Sequence, residues 1–309
     1  MLVKSGYQAM ITQQAWMFTA IYDRLREKLS KVTLINLLQF GARGFDEING
    51  EVVQTATFVL KNDCCSKYNG SYFDLTEGNN EAEKEALFRG KSTFHSAIYS
   101  DFKCVPNASM AYWLSHAALC CFGQDKVSKK LTTREGMTTA DNDRFLRSWS
   151  EIVLNKIFIG CTSINDAKIS HKKWFPYNKG GSNRRWYGNN ELIVNWENDG
   201  LEIRNLKDEK TGRIRSHNYN AEYSFRESGT WTAICSGDIM VRYSPQGALF
   251  DSKGASLFSD STETLLYALG MLNSKVSGGF LKVLSPAYEY KVGHVANVPL
   301  LWGNEDTVI

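Results

Sequence analysis

The residues best suited to chemistry lie in one run, His171 to Asn190, with the sequence HKKWFPYNKGGSNRRWYGNN. Within it Lys172, Lys173, Lys179, Arg184 and Arg185 alternate with Trp174, Phe175, Tyr177, Trp186 and Tyr187. Cationic side chains hold phosphates and flat rings stack on bases or sugars, so the mixture points to a nucleic-acid surface. Gly180 and Gly181 let the backbone approach a phosphate closely, while Asn183, Asn189 and Asn190 carry the paired donors and acceptors that match base edges. The opposing expectation is a solvated turn whose rings belong to the core. Five cations and five rings within twenty residues favour binding.

Two further stretches carry weaker signals. Thr132 to Arg147 (TTREGMTTADNDRFLR) combines Arg134, Arg144 and Arg147 with hydroxyls and an Asp-Asn-Asp turn. It suits a DNA backbone, but by pattern alone it reads first as the cap of a helix beginning near Asp143. In Met240 to Pro245, Arg242 and Tyr243 could face a ligand, although a strand and turn is the plainer expectation. The acid pair Asp46 and Glu47 reads as a solvated turn.

Several chemistries lack their signatures. No Gly-x-Gly occurs, and the five prolines never adjoin, so neither a nucleotide-type glycine loop nor a Pro-Pro catalytic loop is present. No Gly-x-Ser-x-Gly elbow supports a hydrolase. The seven cysteines form no Cys-x-x-Cys pair and the five histidines stand far apart, which argues against structural zinc and, with an odd cysteine count, for reduced thiols. No apolar run reaches the roughly 18 residues of a membrane span, and the first residues lack signal-peptide architecture, so the expected location is the cytoplasm, with no membrane partner. At 309 residues with 43% apolar and 22% charged residues, the chain has room for two globular domains. A net charge of +3 is too small to identify a nucleic-acid binder by itself; its distribution carries the information.

These groups must be positioned by elements whose periodicity is legible. Tyr7 to Ile11 reads as a short buried strand and Gln13 to Lys31 as a helix with Arg24, Arg26 and Lys28 near its C-terminal end. Val32 to Phe40 and Val52 to Leu60 read as strands around a turn containing Gly41, Gly44 and Gly50, the pattern of a sheet whose last strands reverse direction. Residues 61 to 107 read as a polar connector with a charged helix at Glu81 to Phe88, and Met110 to Phe122 as an apolar helix. From about Val127 short strands, Gly and Asn dominate, up to a last helix over Thr262 to Leu284. Its apolar face comprises Leu265, Leu266, Leu269, Leu272, Val276, Phe280 and Leu284, and Pro286 follows it.

The segments GYQAMITQQAWMF, LREKL, FGARGFDEINGEVVQTATFVL, REGMTTADNDRFLR, WFPYNKGGSNRRWYGNNELIVNWENDG and LGMLNSKV closely resemble one family, in consistent order from about Ser5 to Leu300. It is the PglX-type adenine-specific DNA methyltransferases of BREX phage-defence systems. The resemblance implies transfer of a methyl group from S-adenosylmethionine to the N6 of adenine, in a Rossmann-like domain with a glycine-rich donor loop and an Asn-Pro-Pro-Tyr loop, on a base swung out of the duplex. Gly6 to Ile11 looks like the strand after that loop, so no catalytic residue is carried over, no cofactor site is expected in this chain, and the chain alone is expected to be inactive.

The expected fold class is therefore α/β: the C-terminal part of a Rossmann-like methyltransferase sheet, followed by an α+β target-recognition domain like those of restriction-modification specificity proteins. The expected division is 1–63 methyltransferase remnant, 64–126 connector, 127–302 target-recognition domain and 303–309 a truncated tail. In such domains basic residues hold phosphates while loops read bases. That nominates Lys172, Lys173, Lys179, Arg184, Arg185 and Tyr187 for DNA binding, with Arg134, Thr138, Thr139 and Arg144 second. The implied partner is double-stranded DNA, together with a separate N-terminal methyltransferase half or other BREX proteins. Two alternatives stand beside this: a stand-alone, non-catalytic DNA-binding or defence-complex interaction module, and a poorly folded remnant exposing a sheet edge.

Overall fold

The apolar run and the alternating run read from the sequence form neighbouring strands, β2 (Thr33–Gly41) and β3 (Thr55–Lys61), in a computed structural model that describes residues 3–45, 53–90, 93–235, 237–285 and 289–300. Asp46, Glu47, Gly50, Pro286 and residues 301 to 309 lie outside the described residues. The chain divides into two compact units, Met1–Gln124 and Asp125–Ile309.

The first unit holds a five-stranded sheet in the order β1-β3-β2-β4-β5, with β1 at Tyr7–Gln13, β4 at Asn69–Asp74 and β5 at Phe94–Ile98. β3 lies antiparallel between β1 and β2, so those two run in one direction and the third strand reverses, as the glycine-containing turn predicts. β4 adds to β2 in parallel and β5 returns antiparallel. The stretch expected to be a connector thus supplies two strands of the sheet. Its polar composition reflects short strands, the burial falling on Tyr72 and Ala97. Between these strands α2 (Glu81–Arg89) starts where Asn80 accepts the Glu83 amide at 2.9 Å and Glu83 returns a carboxylate to the Asn79 amide at 2.8 Å.

Three expectations in this unit are corrected. β1 is not buried: every residue but Thr12 is exposed, because the strand pairs only with β3 at the end of the sheet. Gln13 to Lys31 is not one helix but two single 3-10 turns, Gln14–Met17 and Ala20–Tyr22, before α1 (Asp23–Leu29). The cause is Arg26, which is 1% exposed and donates to the carbonyls of Trp16 (2.6 Å), Thr19 (2.9 Å) and Asn107 (2.9 and 2.8 Å). A continuous helix would have given the first two carbonyls to its own amides. Met110 to Phe122 is helical only in α3 (His116–Cys121), which Ser115 caps. Before it Tyr112 stacks on Tyr72, with centroids 5.2 Å apart, and donates to Gln39 Oε1 at 2.6 Å, a burial that a helix starting at Met110 would not direct.

The second unit contains two four-stranded sheets. One is antiparallel, in the order β11-β10-β13-β6, from β6 (Thr132–Arg134), β10 (Ser228–Trp231), β11 (Val241–Ser244) and β13 (Ser256–Phe258). The other runs β12-β8-β9-β7, from β7 (Leu146–Ser148), β8 (Trp174–Asn178), β9 (Leu192–Asn195) and β12 (Leu249–Phe250), with β12 parallel to β8. Short helices α4 (Asn142–Phe145), α5 (Ile164–Ser170) and α6 (Glu197–Arg204) join the second sheet, and Phe145, Phe175, Val194, Ile203 and Phe225 form its core.

The last helix of the sequence reading is two helices, α7 (Thr262–Leu272) and α8 (Lys275–Leu284), followed by α9 (Val292–Ala296). Asn273 breaks it. Its buried amide donates to the Val241 carbonyl and accepts the Val241 N–H, both at 2.9 Å, and so clamps the junction to β11. Ser274 then caps α8. Of the expected stripe, Leu266 in α7 and Val276 beyond the break in α8 are exposed at 49% and 58%.

Candidate nucleic-acid interface

The run from Lys172 to Asn190 crosses from the core to the surface. Trp174, Phe175 and Tyr177 lie in β8 and are buried, so three of the five rings are core, as the opposing expectation held. Beyond β8 the chain makes a loop, 179–190, presenting Trp186 at 55% and Tyr187 at 61% exposure, with Arg184 and Arg185 exposed beside them.

Local chemistry makes this loop a fixed shape. Gly180, Gly181 and Gly188 adopt φ of +97°, +106° and +130°, which glycine tolerates without steric cost. The Asn189 amide donates to the carbonyls of Gly180 (3.0 Å) and Ser182 (2.9 Å) and accepts the Ser182 hydroxyl (3.1 Å). The far limb is pinned to β11: the Trp186 N–H donates to the Val241 carbonyl at 3.1 Å, and the Tyr243 N–H to the Trp186 carbonyl at 2.7 Å. Beneath it Arg242, 1% exposed, reaches the Arg184 carbonyl at 3.5 Å while its Nε has no partner. Burial, and after it the Arg184 charge, holds the Arg242 pKa below the usual guanidinium value. Tyr187 also walls a mostly apolar cleft of about 370 Å³, with Trp149, Leu154, Ile159 and Pro245.

The nominated cations are not equivalent. Arg185 has no ion-pair partner among the described residues, and Arg184 reaches Glu191 only at 4.0 Å with both side chains more than half exposed. Lys173 pairs with Glu197 at 3.3 Å, and Lys172 donates to the Asn155 carbonyl; at such exposure these contacts are weak and exchangeable. Lys179 differs, because its ammonium sits 2.7 Å from Asp251, a carboxylate 1% exposed that also accepts the Tyr177 hydroxyl at 2.5 Å. Its charge is paired within the fold, which sets it apart from the exposed cations of the run.

The second stretch assembles around different neighbours. Asp141 caps α4 by accepting the Arg144 amide at 3.1 Å, so the helix begins at Asn142, one residue before Asp143, and Arg144 pairs with Glu202 at 3.2 Å. Thr139 is fully buried and donates to Asn142 Oδ1 at 2.7 Å, so it supports the turn from beneath instead of facing a ligand. Arg134 lies over the Tyr223 ring at 5.1 Å. Thr138 pairs backbone to backbone with His217. That pairing brings in a stretch that sequence reasoning missed: Arg213, Arg215, His217 and Tyr219 are exposed, with His217 stacked on Tyr219 at 5.2 Å and Arg215 donating to the Ala140 carbonyl at 3.3 Å. The available signal was their alternate spacing, basic or aromatic at every second residue, which turns all four to one side of an extended chain.

Among the described residues, the first unit has a cleft lined by Leu38, Phe40, Phe45, Lys84 and Phe88 together with Arg43, Glu81 and Glu85. Its buried polar member is the Lys84 ammonium, which donates to the carbonyls of Phe40 (2.7 Å) and Leu75 (3.0 Å). Among the described residues no cluster of three His, Cys, Asp or Glu side chains is placed to hold a metal, and no helix is long and apolar enough to cross a membrane.

No family model matches the chain. Two curated relatives do. The chain is 42% identical over 305 residues to the adenine-specific methyltransferase PglX of Lacticaseibacillus casei (strain Zhang), covering 96% of this chain and 25% of that protein. It is 33% identical over 307 residues to the adenine-specific methyltransferase BrxX of Escherichia coli O9:H4 (strain HS), covering 98% and 24%. Among solved structures, the Type IIL restriction-modification enzyme MmeI, in complex with DNA, superposes with a TM-score of 0.54 at 11% identity, over 97% of this chain and 40% of that one. That likeness concerns the fold alone, which in this chain is mixed α/β with several sheets. The chain spans about a quarter of the length of the curated relatives it matches, and over that quarter it belongs to the family of PglX-type adenine-specific methyltransferases.

Proposed function

We propose that this chain is the DNA-recognition portion of a site-specific adenine-N6 DNA methyltransferase of the BREX phage-defence type, which binds double-stranded DNA through its second unit. The observation that carries the reading is the 179–190 loop. It is held in one shape by Asn189 and by its pairing to β11, and it projects Arg184, Arg185, Trp186 and Tyr187 outward. A preformed loop loses little conformational entropy on binding, and cations beside exposed rings combine phosphate attraction with stacking. Lys172 and Lys173, at the opposite end of β8, add further cations, and Arg134, Thr138 and Arg144 form the second group of contacts.

In this reading the sheet of the first unit, which continues past residue 63 into β4 and β5, is the end of a methyltransferase sheet, and S-adenosylmethionine is handled by parts of family-length proteins outside the matched quarter. No residue of this chain is assigned to methyl transfer.

The test is binding of the purified chain to a fluorescein-labelled duplex of mixed sequence, between about 50 and 200 mM salt. Affinity falls steeply with salt, and Arg185→Gln weakens binding and makes the log–log slope shallower by about one. Salt-independent or absent binding by the wild-type chain rejects the reading.

A further inference from the structure

The two nominated stretches, distant in sequence, both lie against one turn. Asp251–Gly254 follows β12 and touches each of them. On one side the Gly136 backbone packs so tightly on Phe250 that a Cβ there would lie 1.9 Å from the Phe250 carbonyl oxygen. Next to it the Ser252 N–H donates to the Met137 carbonyl at 3.1 Å, and the Thr138 hydroxyl to Ser252 Oγ at 3.3 Å. On the other side Gly254 packs on Asn178 and Gly180, where a Cβ would lie 2.2 Å from the Asn178 carbonyl oxygen. A Cβ on Gly180 would lie 3.0 Å from the Lys253 carbonyl oxygen. Thr232 completes that side: its hydroxyl donates to the Gly181 carbonyl at 3.1 Å, while the Ala233 N–H donates to the Lys253 carbonyl at 2.9 Å.

Electrostatics singles out one residue of the turn. Asp251 Oδ1 accepts the Lys253 N–H at 2.7 Å and so shapes the turn, while Oδ2 is taken by Lys179 Nζ and the Tyr177 hydroxyl. The carboxylate beneath the turn is therefore neutralised from within. Lys253 is exposed and forms no ion pair among the described residues. Its backbone lies between Gly180, at the start of the loop that carries Arg184 and Arg185, and the Met137–Thr138 segment that Ser252 contacts.

We propose that Lys253 is a DNA-phosphate contact and that the Asp251–Gly254 turn joins the two basic stretches into one binding face. This rests on the reading that the chain binds DNA, and adds a residue and a continuity which that reading does not contain. An exposed lysine at a tight turn, next in sequence to a serine, is a suitable phosphate ligand, a mobile point charge with a hydrogen-bonding neighbour.

The experiment compares wild type, Lys253→Gln, Lys253→Arg and Arg185→Gln in the full chain, against a labelled duplex of mixed sequence over the same salt range. Lys253→Gln is expected to unfold at the wild-type temperature, to bind severalfold more weakly, and to show a log–log slope shallower by about one, with Lys253→Arg restoring both readings. If wild type binds and Arg185→Gln weakens it while Lys253→Gln changes neither affinity nor slope, the inference is overturned and the DNA-binding reading stands. If wild type shows no salt-sensitive binding, both fall.

Discussion

Lys179 and Lys253 show how identical side chains acquire different roles from their surroundings. Lys179 sits in the densest basic and aromatic run, yet its ammonium serves a carboxylate that is 1% exposed. Removing one partner of a buried pair leaves the other charge uncompensated. Lys179→Met is therefore expected to destabilise the chain by about 2 kcal/mol, below the range for fully buried pairs because the lysine side chain is a quarter exposed. Adding Asp251→Asn should recover part of that loss, since the stranded charge is gone. Urea denaturation of the single and double variants measures both, and a single variant as stable as wild type would contradict the assignment. Lys253 stands alone among Ser, Gly and Asp in the sequence, and no composition rule selects it; only the packing of the Gly136 and Gly180 segments around a turn that carries Gly254 does.

Among the elements, the tie between β11 and α7 carries a pH dependence. Tyr243 of β11 donates to Glu227 Oε1 at 2.5 Å, and Thr262 at the start of α7 donates to Oε2 at 2.8 Å. The hydrogen bond to Glu227, ahead of burial and the carboxylate charge, pushes the Tyr243 pKa up to about 12. A hydroxyl whose pKa is higher folded than unfolded contributes stability that is complete below the unfolded value of about 10 and is lost as pH rises through the folded value. Wild type should accordingly lose more stability than Tyr243→Phe between about pH 10 and 12, as thermal melts across that window would record. Equal losses would mean the contact contributes nothing.

For the molecule as a whole, the exposed edge strand is the main liability. β1 presents Tyr7, Met10 and Ile11 at 63%, 42% and 59% exposure, on a strand paired along one side only. Unpaired strand edges with apolar side chains template self-association, and a charge on the edge suppresses it. Ile11→Lys should reduce concentration-dependent association in sedimentation velocity without altering DNA affinity, which the proposed function assigns to the second unit. An unchanged association constant would place the contact elsewhere.

Periodicity was enough for β2, β3 and α2, because those signals are local: an apolar run, an alternation, and a cap three residues from its glutamate. The family motifs were legible too, since they record side-chain order without needing geometry. The helix expected over Thr262 to Leu284 failed at Asn273, whose amide finds a better partner in the backbone of β11 than the helix can supply; nothing within that window signals a strand 32 residues earlier. The same holds for Arg26, whose residue type suggests surface and whose guanidinium is taken by the carbonyl of Asn107, 81 residues further on. The cationic and aromatic character of the candidate face is written in residue types. Which of those groups are free to meet a ligand was settled by long-range packing, because a charge is available only where the fold has not already neutralised it.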